Sequence, residues 1–356
     1  MKIVNAAILG QGRSGRDIHG LCLSKKPDKY KIVAVADPLE DRCERAAKEY
    51  GCQTCSDYRE LLGRKDIDII INATPSYLHV PISLDLIEKG FNVVCEKPLA
   101  RTAGEVDMLI DAHKRSGKLF TIFQQSRYAP YFQQIRKITD SGVLGRLIQI
   151  SINSSGFSRR WDWQCLQENN GGSLLNSGPH PVDQALLFFG TDIMPDVKCI
   201  MDRVNTFGDA EDYVKLILTG PNRPVIDIEI SSCSAYNSYA FNIQGKNGSL
   251  AGTTEHVEWK YFKPEEAPAQ HLIREPLRKE DGTPAYCGET LKWYNESWDV
   301  PESEKDHFGT MSNSYYDMLY ECLTEGKQPL IAPEQVRAQI AIMEECHRQN
   351  PLSRIS

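Results

Sequence analysis

Two rhythms of apolar and polar positions divide the chain. Through residue 125, short unbroken apolar runs alternate with longer amphipathic stretches. The runs are Ile3–Leu9, Tyr30–Ala36, Asp66–Ala73, Asn92–Cys95 and Lys118–Phe123. Continuous apolar character of this kind suits strands covered on both faces. Between them, Glu40–Tyr50, Val80–Lys89 and Gly104–Ser116 carry helical spacing, and Gly90 and Gly117 close the last two. Ser56 or Asp57 caps a short helix through Leu62, and Glu60 three residues after Asp57 favours Asp57 as a capping box. Strands alternating with helices over this length predict a doubly wound parallel sheet.

After Gln124 the rhythm changes. Tyr131–Ser141 reads as a helix, Arg146–Ser155 alternates as a strand with one wet face, and Leu174–Phe189 contains a helix. Strands follow at Val197–Val204, Tyr213–Leu218, Val225–Ser231, Tyr239–Gln244 and Ser249–Thr253. Ile226, Ile228 and Ile230 alternate with Asp227 and Glu229, which is the period of a half-buried strand. Asn247-Gly248 is a hairpin signal. This half predicts an open, mostly antiparallel sheet with helices on one face, its free face left for water or a second subunit. Pro264–Glu304 is polar and rich in Pro and Gly, a long excursion, and Asn313–Glu325 and Pro333–Arg348 close the chain as amphipathic helices.

Composition narrows the class. The 356 residues are 41% hydrophobic and 25% charged, enough for two cores, with a formal charge of -7 and no basic run to hold nucleic acid. No apolar segment approaches the roughly 20 residues that span a bilayer. The N-terminus reads as a strand rather than a signal peptide. Eleven scattered cysteines read as reduced thiols of a cytoplasmic protein. Cys52-Gln53-Thr54-Cys55 has neither a second CxxC nor a nearby histidine to complete a zinc site, so no metal is expected.

The first strand runs into Gly10-Gln11-Gly12-Arg13-Ser14-Gly15. Gly10 permits a sharp turn, Gly12 leaves room for a pyrophosphate, and Gly15 lets the next helix pack close. The helix start is a favourable place for that anion. Asp37 ends the second strand, 22 residues after Gly15. A carboxylate there accepts from both ribose hydroxyls and repels a 2′-phosphate, so the pattern points to NAD(H).

Two constellations carry candidate chemistry. Glu96-Lys97-Pro98 follows the fourth strand, on the rim of the sheet. A lysine there can hydrogen-bond a substrate hydroxyl and favour its alkoxide, with Glu96 as partner. Asn176-Ser177-Gly178-Pro179-His180-Pro181-Val182-Asp183 places His180 before a helix that Pro181 opens. Asp183, three residues on, either orients the imidazole for proton transfer or only helps it cap the helix.

These motifs together, with Ala73-Thr74-Pro75-Ser76-Tyr77-Leu78-His79 and Gly171-Gly172-Ser173-Leu174, resemble the Gfo/Idh/MocA oxidoreductases over nearly the whole chain. The resemblance implies a Rossmann domain over 1–126 and an α+β domain with an open sheet over 127–356 that binds substrate and builds dimers or tetramers. It implies NAD as cofactor, held by the glycine loop, Asp37, Thr74, Pro75, His79, Glu96 and Lys97. It implies sugars, glycosides or polyols as substrates, with Lys97 touching nicotinamide and substrate and His180 accepting the proton. The family's first aspartate of the histidine motif is Asn176 here, and an amide cannot share a proton. That throws the proton work onto His180 and Lys97, and within the family glycoside 3-dehydrogenases look at least as similar as inositol 2-dehydrogenases. Arg127 and Tyr128 either reach substrate hydroxyls or lie in a solvated loop. Trp161 and Trp163 either cover a sugar ring and its aglycone or fill a core. The expected reaction is oxidation at C3 of a glucoside. A polyol dehydrogenase, a redox-neutral glycosidase and a non-catalytic NAD-binding regulator are the alternatives.

Overall fold

The computed structural model describes residues 2–236 and 238–354. The first domain builds β1 (Val4–Leu9), helical turns Ser14–Gly20 running into α1 (Leu21–Ser24), β2 (Tyr30–Ala36), α2 (Glu40–Tyr50) and β3 (Gln53–Cys55). It continues with β4 (Ile69–Asn72), α3 (His79–Glu88), β5 (Val93–Cys95), α4 (Ala103–Ser116) and β6 (Phe120–Ile122). All six strands are parallel, in the order β3-β2-β1-β4-β5-β6. The order reverses between β1 and β4, and open α/β sheets bind ligands at the carboxyl ends beside such a reversal. Ile69, Ile70 and Ile71 are fully buried, as a strand covered on both faces requires.

Local chemistry sets the helix ends. The Thr102 hydroxyl accepts the Glu105 amide while the Glu105 carboxylate accepts the Thr102 amide, and Gly117 at φ 64° stops α4. The Asp57–Glu60 box forms over a short turn, Tyr58–Leu61. β3 is not among the strands expected from the sequence. Gln53–Cys55, inside the CxxC segment, is the sheet's edge strand, too short to show a period. All eleven cysteines are free thiols.

The second domain builds α5 (Pro130–Asp140), β7 (Leu147–Ser155), α6 (Ser173–Asn176), α7 (Pro179–Phe189), β8 (Asp196–Asp202), β9 (Tyr213–Thr219) and β10 (Val225–Ser231). Then come β11 (Phe241–Gly245), β12 (Gly248–Gly252), β13 (His256–Phe262), β14 (Trp293–Asp299), α8 (His307–Glu325) and α9 (Pro333–Gln349). The eight strands lie in the order β14-β13-β12-β11-β7-β10-β9-β8, and every pair but β7–β10 is antiparallel. Ile226, Ile228 and Ile230 face the helices, whereas Asp227 and Glu229 face outward and share Lys215. β13 is not among the strands expected from the sequence, and β14 falls inside the expected excursion. The exposed residues along this edge hide its period.

α8 and α9 return to the first domain. The Tyr30 hydroxyl donates to the Tyr316 carbonyl at 2.7 Å, Lys26 and Lys29 both reach Asp317, and Arg337 pairs with Asp107. The halves are therefore joined at several points. Among the described residues no helix is long and apolar enough to cross a membrane, and no three His, Cys, Asp or Glu side chains gather as a metal site.

Candidate active site

The glycine loop leaves β1 through Gly10, at φ 85°. A methyl group on Gly10 would lie 2.5 Å from the Ala73 carbonyl oxygen, and one on Gly15 would lie 1.8 Å from the Gly10 oxygen. Side chains are therefore excluded at both positions. Over Gly12 the nearest atom to such a methyl is an Arg42 nitrogen 3.8 Å away, so the space above the loop is open. Asp37 holds this loop: its carboxylate accepts the Gln11 amide at 2.6 Å, the Leu39 amide at 2.9 Å and Arg42 at 3.3 Å. The Gln11 side chain is buried with neither its oxygen nor its nitrogen partnered. A bare glycine cradle, an orphaned amide and a carboxylate at the tip of β2 fit a dinucleotide. Gly10, Gln11, Gly12, Arg13, Ser14, Gly15 and Asp37 are the residues that would hold it.

Thr74, Pro75 and His79 stand one strand over. The Thr74 hydroxyl donates to Asn72 Oδ1 at 2.6 Å. His79 is buried, with Nδ1 2.7 Å from the Pro98 carbonyl and Nε2 2.9 Å from the Thr74 carbonyl. Burial keeps this ring's pKa below the ordinary histidine value despite its two carbonyl neighbours and Glu96, so one nitrogen donates and the other only abuts its carbonyl. His79 thus ties the Thr74 and Pro98 loops together.

Lys97 leaves the end of β5 and donates from Nζ to the Asn176 main-chain carbonyl at 2.9 Å. Burial pushes its pKa down, Glu96 opposes that, and Arg13 and Arg160 add to it. Glu96 is itself buried. Burial alone would raise its carboxyl, but the hydrogen bond from His19 and the charges of His19 and Lys97 outweigh that and hold it at about 2. His19 Nε2 lies 3.1 Å from Glu96 Oε1, and His19 Nδ1 lies 2.7 Å from the Tyr316 hydroxyl. His19 and Tyr316 had no assigned role in the sequence. The one available signal was His19's place four residues after Gly15, one turn along the helix toward the sheet.

α7 opens at Pro179 rather than Pro181, which puts His180 in its first turn. His180 Nδ1 lies 3.0 Å from the Ser126 hydroxyl. Burial, then the charge of Lys97, push its pKa down to about 3, so the ring is neutral beside a lysine. Lys97 thus meets the Asn176 carbonyl, and His180 lies near enough to feel its charge. Asp183 does not join them. Its carboxylate takes a two-pronged bond from Arg127, at 2.8 and 2.7 Å, and both side chains are buried. Arg127 also donates to the Leu330 carbonyl and the Gln335 amide oxygen. This pair ties the entry of the second domain to α7 and α9, and its side chains are already committed. Tyr128 is half-buried against the core. Trp161 and Trp163 are 79% and 45% exposed, so neither is core.

One further group escaped sequence reading because no local pattern marks it. Glu211, before β9, accepts the Leu174 amide at 2.9 Å, and burial raises its carboxyl to about 7. A methyl on Gly172 would lie 2.3 Å from this carboxylate, which explains a glycine at φ 104° there.

A parallel sheet with a bare glycine turn and an acid at the next strand, closed by a lysine and a histidine from different domains, defines a dinucleotide-binding oxidoreductase. The matches to known proteins make this specific. Residues 4–124 fit the family model for oxidoreductases with an NAD-binding Rossmann fold, and residues 132–251 fit the Gfo/Idh/MocA C-terminal domain. The chain belongs to the Gfo/Idh/MocA family, and its cofactor is NAD. It is 26% identical to scyllo-inositol 2-dehydrogenase (NADP(+)) IolW of Bacillus subtilis, over 82% of this chain and 85% of that one. It is also 26% identical to 2,7-anhydro-N-acetylneuraminate hydratase of Mediterraneibacter gnavus, over 70% and 67%. The WlbA dehydrogenase of Bordetella pertussis, solved with NADH and UDP-GlcNAcA, superposes with a TM-score of 0.77 at 18% identity, over 100% of this chain and 99% of that one, and so shares the fold.

Proposed function

We propose that the protein oxidises a secondary hydroxyl of a sugar or glycoside, most readily at C3 of a glucoside, with Lys97 and His180 as the catalytic residues. The observation that carries this reading is the meeting of Lys97 Nζ with the Asn176 carbonyl at 2.9 Å, in the same cleft as a neutral His180 anchored on Ser126. Bound NAD supplies the hydride acceptor. Lys97 donates a hydrogen bond to the reacting oxygen and stabilises its developing negative charge, while the neutral His180 ring accepts the hydroxyl proton. Asn176 can hold a neighbouring hydroxyl but not share that proton. A sugar-type substrate is supported by the inositol dehydrogenase and anhydro-sugar relatives. The relative named as a hydratase favours a second reading, a redox-neutral cycle in which the cofactor is regenerated in place.

We take 1–126 as the NAD-binding domain and 127–356 as the substrate and oligomerisation domain. A homo-oligomer through the open sheet is supported by Ile200, Ile217 and Val225, 65%, 37% and 42% exposed on its free face. The test is to follow NADH absorbance with NAD across aldoses, inositols, and O- and C-glycosides, with product analysis to fix the oxidised carbon. A 3-keto product formed in step with NADH supports the reading. Release of aglycone without net NADH favours the redox-neutral cycle, and no change on any sugar, glycoside or polyol refutes both.

A further inference from the structure

Asn176, whose carbonyl holds Lys97, also lines a chamber of about 130 Å³, open on one side. Its walls carry five hydroxyls, two amides, two carboxyls, one guanidinium and one thiol, with no aliphatic or aromatic side chain. Glu211, one of these carboxyls, is buried, with Oε1 on the Leu174 amide and Oε2 3.9 Å from His347 Nε2. The lip is the opposite in character. Phe157, Trp161, Trp163 and Phe207 stand 63%, 79%, 45% and 59% exposed. Trp161 meets Phe207 edge-on at 6.5 Å, and the Arg159 guanidinium lies over Phe207 at 4.9 Å. Along the loop after β7, Ser158, Arg160 and Gln164 face the chamber while Phe157, Trp161 and Trp163 face solvent.

The chemistry of this chamber selects its occupant. Arg160 is held by Asp162 at 2.9 Å and by Gln164 at 2.5 Å, so its charge is already matched. Asp212 takes the Val204 and Asn205 amides at 2.7 Å and Glu211 the Leu174 amide, so the chamber has no unmatched cation to offer a diphosphate. A flat apolar aglycone would find the lip but would leave the polar walls without partners, at about 1–3 kcal/mol for each group. A polyhydroxylated ring satisfies both regions, with hydroxyls to the walls and its apolar face against an indole.

We propose that this chamber is a subsite for a second, uncharged sugar ring, so that the preferred substrate is a saccharide of at least two rings. One ring reacts at Lys97 and His180, and the next lies between Glu211 and the Trp161 lip. The proposal rests on the reading of Lys97 and His180 given above and narrows its substrate class.

The test compares kcat/KM for glucose, cellobiose, maltose, phenyl glucoside and UDP-glucose in the wild type, Trp161→Ala and Glu211→Gln. The expected result is at least one disaccharide tenfold or more better than glucose, mainly through KM. The disaccharide-to-glucose ratio then falls to near one in both variants. Trp161→Ala alters an exposed residue, so it reads the subsite even where Glu211→Gln fails to fold. Disaccharides no better than glucose, a best substrate of phenyl glucoside or UDP-glucose, or variants that keep the ratio would each overturn the proposal. Tryptophan fluorescence titrations with cellobiose, maltose and glucose, with NADH present, read occupancy without turnover. If no sugar is oxidised, tenfold tighter binding of a disaccharide than of glucose still supports the subsite. Equal or absent binding overturns it.

Discussion

Replacing His19 with leucine removes the main partner of a buried carboxylate at little change in volume. The Glu96 side chain is 6% exposed, and without His19 its remaining bond is the Lys97 amide to Oε2 at 3.0 Å. In the wild type this carboxyl sits at about 2 against an ordinary 4.5, a gap worth about 3 kcal/mol at about 1.4 kcal/mol per tenfold change. A carboxyl held low in the folded state contributes that stability above the ordinary value, and loses it as pH falls toward 2. Once His19 is gone, burial dominates and lifts the carboxyl above its ordinary value. The sign then reverses: the variant is favoured at low pH and loses stability as pH rises through the raised value. Breaking a buried pair from one side costs about 3–5 kcal/mol. For 356 residues that corresponds to a fall in Tm of roughly 4–7 °C at neutral pH. Urea unfolding of wild type and His19→Leu from pH 4 to pH 8 measures this directly. Tyr316→Phe, which leaves the Glu96 contact in place, should lose only about 1 kcal/mol. A His19→Leu deficit under about 1 kcal/mol at neutral pH, or one that does not grow from pH 4 to pH 8, refutes the reasoning.

Lys97→Ala should lower kcat by about 10²–10⁴-fold while leaving NADH binding, read by fluorescence, within a few-fold of wild type. In the wild type, kcat/KM should stay flat from about pH 5 to 8, because burial and Lys97 hold His180 neutral down to about 3; a limb near 6.5 would contradict that. Its alkaline limb should fall below 10.5, the ordinary lysine value, because burial lowers Lys97. Asp37→Ala releases the Gln11 and Leu39 amides and removes the charge opposing a 2′-phosphate, so KM for NAD should rise tenfold or more and the preference over NADP should shrink. Arg127→Met leaves Asp183 buried and unpaired and should destabilise by about 3–5 kcal/mol, most of it recovered when Asp183→Leu is added, as chemical denaturation would show.

What could be read along the chain is what neighbouring residues decide. The glycine turn, the Asp57–Glu60 box, the Ile69–Ile71 run and the alternation through Ile230 each announce themselves within a few positions. β3 and β14 did not, because three residues show no period and an exposed edge strand shows no buried face. The partners within the site lay further out of reach. Asp183 sits one turn from His180, yet Arg127 takes both its oxygens, since a planar guanidinium makes two aligned bonds where an imidazole offers one. His19 and Tyr316 meet across 297 positions of sequence. Each junction that gives the cleft its shape crosses from one domain to the other: Lys97 to Asn176, Ser126 to His180, His19 to Tyr316. Sequence motifs locate the two sides of such a junction but not which atoms meet there. Asn176 shows the consequence. In the sequence, the amide in place of an aspartate removes a group that could share a proton. Lys97 is held by the main-chain oxygen of that residue, which either side chain would supply. The hydrogen bond that holds Lys97 therefore does not depend on which side chain stands at 176.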